Sequence, residues 1–273
     1  MKNLSMFCLT LEPSHYQFIK DLNYIPVGLG KNKFMDEVLS DKSGDSISNK
    51  NRYYGEYTFH YWLWKNYLNT VQSEWIGFCQ YRKFWTLEKY NHTQLELKKL
   101  NEIVLKEVPE KLNSYESILG RPFVVNKQKT MKFLKKGFKL IVKNPSYLFK
   151  KSSRNIKFHF DLMHGENNLD KAIDLLDKEN KDHFRTFVNT NYEFNPQNMF
   201  ICRSKKILTS YYETLFPWLE KCEELFGFDK LKGYDLTRIY GFLAERFLSY
   251  WFQKNTKYIT LPITFYDIRN DIN

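Results

Sequence analysis

Short apolar runs alternate along this chain with segments in which apolar residues recur every three or four positions. The runs predict strands and the recurring segments predict helices. The predicted strands cover residues 6–11, 24–30, 74–79 and 115–125, with a further strand around Phe200. The predicted helices cover residues 14–22, 53–68, 95–112, 169–180, 206–226 and 234–252. This alternation predicts an α/β domain with a central mixed sheet flanked by helices and a helical C-terminal third.

Aromatic residues occupy nearly every face of the predicted helix 53–68, so we expect this helix to be buried all round. Glu56 and His60 lie four residues apart and share one of its faces. Polar groups in such a helix need partners. They either tie the helix to a neighbouring element through an ion pair or hydrogen bond, or line a cleft as substrate-binding residues.

The composition is that of a globular protein: 273 residues, of which 42% are hydrophobic and 18% aromatic. No apolar run reaches the ~18 residues of a transmembrane helix, and the N-terminus lacks the pattern of a signal peptide. The four cysteines form no CxxC pair, so we expect reduced thiols, no zinc site and a cytoplasmic protein.

Positive charge is concentrated in residues 127–157, which contain 11 Lys or Arg and no Asp or Glu. The formal net charge of the whole chain is also +11. A basic amphipathic segment is typical of proteins that bind an anionic membrane surface. A solvated basic hairpin is the alternative, and no nucleic-acid partner is expected because no binding motif for one is present.

Two predicted strands end in residues suited to anion binding. Gly28, Gly30 and Lys31 follow one strand, where backbone N–H groups could approach a phosphate, although an ordinary glycine turn has the same composition. The stretch WIGFCQYRKFW places Arg82 and Lys83, as diphosphate-binding candidates, after another strand, next to Tyr81 as a substrate-binding candidate. Ligands of open α/β sheets bind beyond the carboxyl ends of strands. The alternative is an arginine packed on aromatic rings.

Several carboxylates are further candidates. Asp41 and Asp45 could bind a divalent metal such as Mn²⁺ or Mg²⁺, or could serve as turn residues. Asp235 stands near the start of a predicted helix, as a general base or as the helix N-cap. Further along that helix, Arg238 and Glu245 belong to a charged stripe that faces either solvent or a cleft, so both are substrate-binding candidates. Glu245 and Arg246 are expected to form an ion pair. His164 precedes another helix as a substrate-contact candidate.

Six motifs, in this order, resemble a bacterial family of glycosyltransferase-like proteins encoded in capsule, O-antigen and exopolysaccharide gene clusters. They are YIPVGLGKN, DKSGDSISNKN, YYGEYTFHYWLWKN, WIGFCQYRKFW, NMFICR and GFLAERFL. The family pattern at the fourth motif is His-Tyr-Arg-Arg, whereas this chain has Gln80-Tyr81-Arg82-Lys83. NMFICR begins with Asn198, which we include among the substrate-binding candidates.

The resemblance implies a single GT-A-like domain over residues 1–273. It further implies a hexosyltransferase that uses a nucleotide sugar, expected to be UDP-linked, with galactofuranose as one candidate sugar. The implied acceptor is a lipid-linked glycan at the inner face of the plasma membrane. Arg82 and Lys83 would neutralise the donor diphosphate, partly or wholly in place of a metal. The alternatives are a non-catalytic glycan- or nucleotide-binding protein and a basic membrane-associated protein of such a locus.

Overall fold

The structure, a computed structural model, describes residues 3–90, 95–127, 142–143 and 153–267. The chain divides into two compact units. The first unit contains Met1–Arg121, Gln197–Glu213 and Phe252–Asn273, and the second contains Pro122–Pro196 and Thr214–Trp251. The chain therefore leaves the first unit and returns to it twice.

Eleven strands are present in the described residues. They are β1 Leu4–Thr10, β2 Ile25–Gly28, β3 Leu39–Ser40, β4 Trp75–Gln80, β5 Lys83–Trp85, β6 Ser117–Gly120, β7 Phe123–Val124, β8 Glu193–Phe194, β9 Phe200–Cys202, β10 Tyr258–Leu261 and β11 Ile263–Phe265. Nine of them form the mixed sheet of the first unit, in the order β10-β6-β9-β4-β1-β2-β3, with β5 pairing β4 and β11 pairing β5. β7 and β8, which are distant in sequence, form a two-stranded antiparallel sheet in the second unit.

Ten α-helices have defined bounds in the described residues. They are α1 Tyr16–Asp21, α2 Asn51–Tyr54, α3 Tyr57–Trp62, α4 Leu97–Ile103, α5 Ile156–His164, α6 Asn168–Ile173, α7 Lys178–Thr190, α8 Lys205–Phe226, α9 Tyr234–Thr237 and α10 Ile239–Asn255. α8 and α10 contribute residues to both units. In the second unit, aromatic side chains of α7, α8 and α10 form a packed core around the fully buried Phe184.

The parallel strands β4, β1, β2 and β3 fix the edge at which a ligand could bind. Their register pairs Leu9 with Gln80, Thr10 with Gly28, and Gly28 with Ser40. Thr10, Gly28, Ser40 and Gln80 are the last residues of the four strands, and we call the edge that they form the carboxyl edge. β1 and β4 are buried along almost their whole length, which explains why their sequences read as continuous apolar runs.

The segment after β4 is a tight hairpin. Gln80 pairs with Lys83 in the antiparallel strand β5, so Tyr81 and Arg82 are the two residues of the turn. β11 pairs with β5, and the backbone N–H of Tyr266 donates to the carbonyl of Arg82. The turn is therefore held from both sides at the carboxyl edge.

The predicted helix 53–68 is interrupted twice. Gly55 has a φ of 60°, which ends α2 and separates it from α3. A π-helical turn, Leu63–Tyr67, then follows α3. The segment is largely buried, as predicted, but Lys65 and Asn66 are exposed.

The predicted surface helix 95–112 is shorter than expected, and its second half contains only the 3₁₀ turn Glu110–Leu112. α4 ends at Ile103, after which Val104 forms a bridge with Thr86 and the N–H of Leu105 donates to the carbonyl of Trp85. Leu100, Val104 and Leu105 are buried in the core of the first unit. Burial of these side chains overrides the helical pattern.

The predicted strand 115–125 is two strands, because β6 ends at Gly120 in the first unit and β7 begins at Phe123 in the second. The predicted helix 169–180 is also divided. α6 ends at Ile173, and Asp177 caps α7 by accepting a hydrogen bond from the N–H of Asn180.

Most of the basic segment 127–157 lies outside the described residues, which include only residues 127, 142–143 and 153–157 of it. The described helices contain none that is long and apolar enough to cross a membrane. All four cysteines are buried and free.

Candidate functional site

A column of stacked side chains lies at the carboxyl edge. His15, in the 3₁₀ turn Pro13–His15 that follows β1, is buried, and its Nδ1 is 2.7 Å from the hydroxyl oxygen of Thr10. The ring of His15 stacks on that of Tyr81, with 4.6 Å between centroids. The guanidinium of Arg82 lies 4.9 Å from the centroid of the Tyr81 ring.

Arg82 combines a fixed position with access to solvent. Its side chain is 35% exposed and forms an ion pair with Asp267 at 3.6 Å, a separation too long for a tight bidentate contact. A phosphate could therefore bind the exposed part of the guanidinium. The arginine is packed on an aromatic ring, as one interpretation of the sequence predicts, and part of its side chain is also exposed. Anion binding at this position stays a prediction.

Lys83 and Lys31 differ from Arg82 in position. Lys83 is the first residue of β5, opposite Phe265 and Gln80, and is half-buried. Lys31 is exposed, after the Gly28–Gly30 turn. Of the three predicted cations, Arg82 is the one that belongs to the hairpin turn itself.

Gln80 links three segments of the first unit. Its side-chain amide donates to Glu56 Oε1 at 3.1 Å and to the carbonyl of Gln197 at 3.0 Å. Gln197 and the following Asn198 have φ angles of 82° and 55°. Left-handed backbone at a non-glycine residue costs about 1 kcal/mol and is concentrated at functional sites. Glu56, a substrate-binding candidate, thus belongs to a hydrogen-bonded group around Gln80, and Asn198, another candidate, directly follows the residue whose carbonyl accepts in that group.

The two glycines of the predicted phosphate-binding turn have different roles. Gly30 has a φ of 75°, a conformation that favours glycine. Gly28 has no such backbone requirement, but a Cβ there would lie 2.4 Å from the ring of Phe34. Glycine is therefore needed at position 28 because the Phe34 ring lies where a Cβ would be. Anion binding by the backbone of this turn stays a prediction.

His60 is a core residue. It is fully buried, its Nδ1 is 2.7 Å from the hydroxyl oxygen of Tyr212, and burial lowers its pKa to about 3. The contact ties α3 to α8, as the structural interpretation of the sequence predicts. The predicted substrate contact needs correction, because the side chain has no surface for a ligand.

Asp41 and Asp45 lie in different environments. The Asp41 side chain is fully buried, burial raises its pKa, and the nearby Thr58 hydroxyl opposes that rise. Asp45 is exposed and accepts a hydrogen bond from the hydroxyl of Tyr61. In the part of the chain that the structure describes, no three His, Cys, Asp or Glu side chains group as metal ligands do. The two carboxylates thus do not fit a shared metal site.

The second unit brings together three other candidates. Gly233 is the N-cap of α9, with a φ of 79°, and Asp235 is the second residue of this four-residue helix. Asp235 is therefore not the N-cap. The buried His164 lies with Nδ1 3.1 Å from the carbonyl oxygen of Asp235, and Arg238 packs over Tyr234 at 5.6 Å from its ring centroid.

Glu245 forms the predicted ion pair with Arg246, which is 2% exposed. The guanidinium of Arg246 also lies 3.9 Å from the centroid of the Phe194 ring and 3.3 Å from Nδ1 of His159. Burial lowers the pKa of Arg246, and Glu245 opposes that change. These contacts indicate a structural role for Glu245 rather than the predicted substrate contact.

Sequence reasoning missed two residues of the Tyr81–Arg82 group. His15 and Asp267 lie far from residues 81–82 in the chain and reach them only through the sheet. The one local signal was that His15 follows a predicted strand, at a position where ligands of α/β sheets bind.

Comparison with known proteins identifies relatives. The family model described as "Domain of unknown function (DUF4422)" matches residues 9–256. No curated protein is significantly similar in sequence. Among solved structures, the bifunctional glycosyltransferase WbbM, in its apo form, has a TM-score of 0.71 and 21% identity. The alignment covers 96% of this chain and 45% of that chain, so this chain corresponds to less than half of WbbM. The fold is GT-A-like, as predicted.

Two more distant structures are mannosyltransferases or synthases of fungi. Ktr4p from S. cerevisiae, in complex with GDP, has a TM-score of 0.31 and 11% identity, with 92% of this chain and 66% of that chain covered. Core-mannan synthase A from Aspergillus fumigatus, in a Mn/GDP form, has a TM-score of 0.32 and 11% identity, with coverage of 97% and 74%. Structural similarity as low as this gives no information about the site.

Proposed function

The chain belongs to the DUF4422 family, and from its GT-A-like fold and its carboxyl edge we propose that it is a glycosyltransferase. It would transfer a sugar from a nucleoside-diphosphate donor to an acceptor hydroxyl. The sugar, its carrier and the acceptor are proposed from the sequence resemblance. The sugar would be a hexose, with galactofuranose as one candidate, and UDP would carry it to a lipid-linked surface glycan.

The observation that carries the proposal is the position of Arg82. Its guanidinium lies in a two-residue turn at the carboxyl end of β4, supported by the Tyr81 ring and exposed to solvent. Departure of a nucleoside diphosphate develops negative charge on the leaving phosphate. A fixed cation stabilises that charge without reorganising during the reaction.

The neighbours of Arg82 support an anion site there. Asp267 pairs with the guanidinium at 3.6 Å, and an incoming diphosphate would compete with that carboxylate. Lys83 would add a second positive charge from the start of β5. Gln80 stands where the resembled family has histidine, and its role is to hold Glu56 and the Gln197 carbonyl.

For the acceptor we propose Asp235 as the general base that deprotonates the attacking hydroxyl. Asp235 is half-buried, and its carbonyl contacts His164. We propose further that the basic segment 127–157 binds the anionic inner face of the plasma membrane, where a lipid-linked acceptor is found. Retention of the intact protein on anionic but not neutral liposomes tests this.

The function is tested with a panel of UDP- and GDP-sugars. Release of nucleoside diphosphate, with and without a lipid-linked glycan acceptor, should identify one donor whose turnover depends on the acceptor. A protein that binds nucleotide but releases no product from any donor would instead be the non-catalytic binding protein that the sequence leaves open. Liposome binding without nucleotide binding would favour the basic membrane-associated protein.

A further inference from the structure

A cleft of about 490 Å³ lies beside β3 in the first unit. Phe34, Met35 and Trp62 provide much of its apolar lining, and Ser40, Lys33 and Lys42 are among its polar residues. We call it the β3 cleft. It begins at the carboxyl edge, because Ser40 is both the last residue of β3 and part of the lining.

Two contacts hold the apolar side chains of the cleft in fixed positions. The ring of Phe34 lies so close to Gly28 that any Cβ there would be 2.4 Å from it. The indole N–H of Trp62 donates to the hydroxyl of Ser43 at 3.1 Å, which fixes the orientation of the ring. Met35 is 51% exposed, so the opening of the cleft carries a large apolar side chain that water surrounds.

The polar lining narrows the chemistry of the ligand. The hydroxyl oxygen of Ser40 is buried and has no hydrogen-bond partner among the described residues, so a bound molecule that reaches it would satisfy a polar group that is otherwise unpaired. Lys33 and Lys42 outnumber the one acidic lining residue, Asp36, which favours an anionic ligand. The ammonium of Lys42 also donates to the carbonyl of Asn32 at 2.8 Å.

These properties fit a flat ring with a hydrogen-bonding edge and an attached negative charge. A free sugar fits less well, because its many hydroxyls need more polar partners than an apolar wall supplies. We propose that the β3 cleft binds the nucleobase of the donor nucleotide, with Phe34 against the ring and Ser40 at its polar edge. Gly28 acts as a positioning residue that lets Phe34 occupy its place. This inference rests on the proposed function, since it specifies part of the donor site.

The position of the base is tested by photo-crosslinking of the intact protein with 5-azido-UDP and 8-azido-GDP. The label is expected within residues 33–43 or on Trp62. Labelling confined to other segments would overturn the proposal, whether or not the protein transfers sugar.

The contribution of the cleft is measured by calorimetric titration with UDP and GDP. Phe34→Ala and Gly28→Ala should each weaken binding of the preferred nucleotide about 10-fold. Met35→Glu adds an anion at the exposed opening and should weaken it similarly without disturbing the core. Leu225→Glu is the control, since Leu225 is 45% exposed in the second unit and should leave the affinity unchanged.

The results separate this inference from the proposed function. Unchanged nucleotide affinity in folded Phe34→Ala and Met35→Glu variants, with sugar transfer intact, would reject the cleft and keep the enzyme. Weakened binding in these variants, in a protein that transfers no sugar, would keep the cleft and reject the enzyme. Absence of nucleotide binding in the unaltered protein would reject the cleft.

Discussion

His15 and Tyr81 are stacked at the carboxyl edge, with 4.6 Å between their ring centroids, and Arg82 packs on the same tyrosine. The contacts of the Tyr81 ring with His15 and with the guanidinium of Arg82 thus limit the conformations that the turn can adopt. A cation held in this way loses less entropy when it binds a phosphate than a freely rotating side chain does.

Tyr81→Ala should raise the KM for the nucleotide sugar by roughly 5- to 150-fold, because the stacking and cation–π contacts are worth about 0.5–1.5 kcal/mol each and both are lost. Tyr81→Phe keeps the ring and should stay near the parent value. Steady-state kinetics with saturating acceptor measures both. Equal defects in the two variants would show that the hydroxyl, and not the ring, matters.

Arg82→Gln should lower kcat/KM by roughly 10- to 100-fold, the loss of a charge-assisted contact to phosphate. Arg203→Gln is a closely matched control. Arg203 is also 35% exposed, pairs with Glu74 at 2.7 Å and packs over Trp75, the first residue of β4. Arg203 therefore lies near the first residue of β4, whereas Arg82 follows the last residue of that strand. A similar loss in both variants would mean that Arg82 has no special part in the reaction.

Turnover in excess EDTA tests whether cationic side chains neutralise the diphosphate. Because Arg82 and Lys83 supply positive charge at the turn, we expect most of the activity to remain. The double variant Arg82→Gln/Lys83→Gln should then lose more activity than either single variant. Loss of turnover on chelation, with recovery in Mn²⁺ or Mg²⁺, would establish a metal requirement instead.

Asp235→Asn should abolish sugar transfer while leaving UDP affinity unchanged, because an amide cannot accept the proton of the acceptor hydroxyl. Asp182→Asn, at an exposed position of α7, controls for loss of one negative charge in the second unit. Product formation by chromatography and UDP titration provide the two readouts. Near-normal turnover of the Asp235 variant would remove the assignment.

Because His60 is buried, we expect the free energy of unfolding to decrease as the pH falls. Its pKa is about 3 in the folded chain, whereas an unfolded histidine titrates near 6.5. Between these values the unfolded state binds the extra proton, so His60 lowers the free energy of unfolding by about 1.4 kcal/mol per pH unit as the pH falls. His159, whose pKa is also lowered to about 3, by burial and by Arg246, acts in the same direction.

Urea unfolding between pH 8 and pH 4 measures this dependence. His60→Gln should be less stable than the parent at pH 8, since the contact with Tyr212 is lost, but should have a shallower slope below pH 6.5. His183→Gln is the control, because His183 is exposed and is not transferred from water on folding. Parallel curves for the His60 variant and the parent would contradict the prediction.

The central strands of the first unit were predictable from the sequence. A strand that is buried on both faces has a continuous run of apolar residues. β1, β2 and β4 fall within the predicted ranges or within one or two residues of them. β10 and β11 were not predicted, since each is short and Pro262 separates them. The hairpin at Tyr81 and Arg82 lacks the Asn-Gly or Asp-Gly pair that usually marks a two-residue turn.

Site residues were predictable from the sequence where they directly follow a predicted strand. Arg82 and the Gly28–Gly30 turn are identifiable from the sequence for that reason. The stacking of His15, the pairing of Asp267 and the covering of Gly28 by Phe34 depend on contacts between distant or looped segments. Local periodicity carries no information about them.

The order of strands in the first unit has a consequence for biosynthesis. A ribosome delivers the chain from its N-terminus, yet β6 pairs with β10 and β5 pairs with β11. Neither partner exists until residues 258–265 have left the exit tunnel. A nascent chain therefore carries strand edges without these partners until its last strands are synthesised, and such edges can pair with other chains in the meantime.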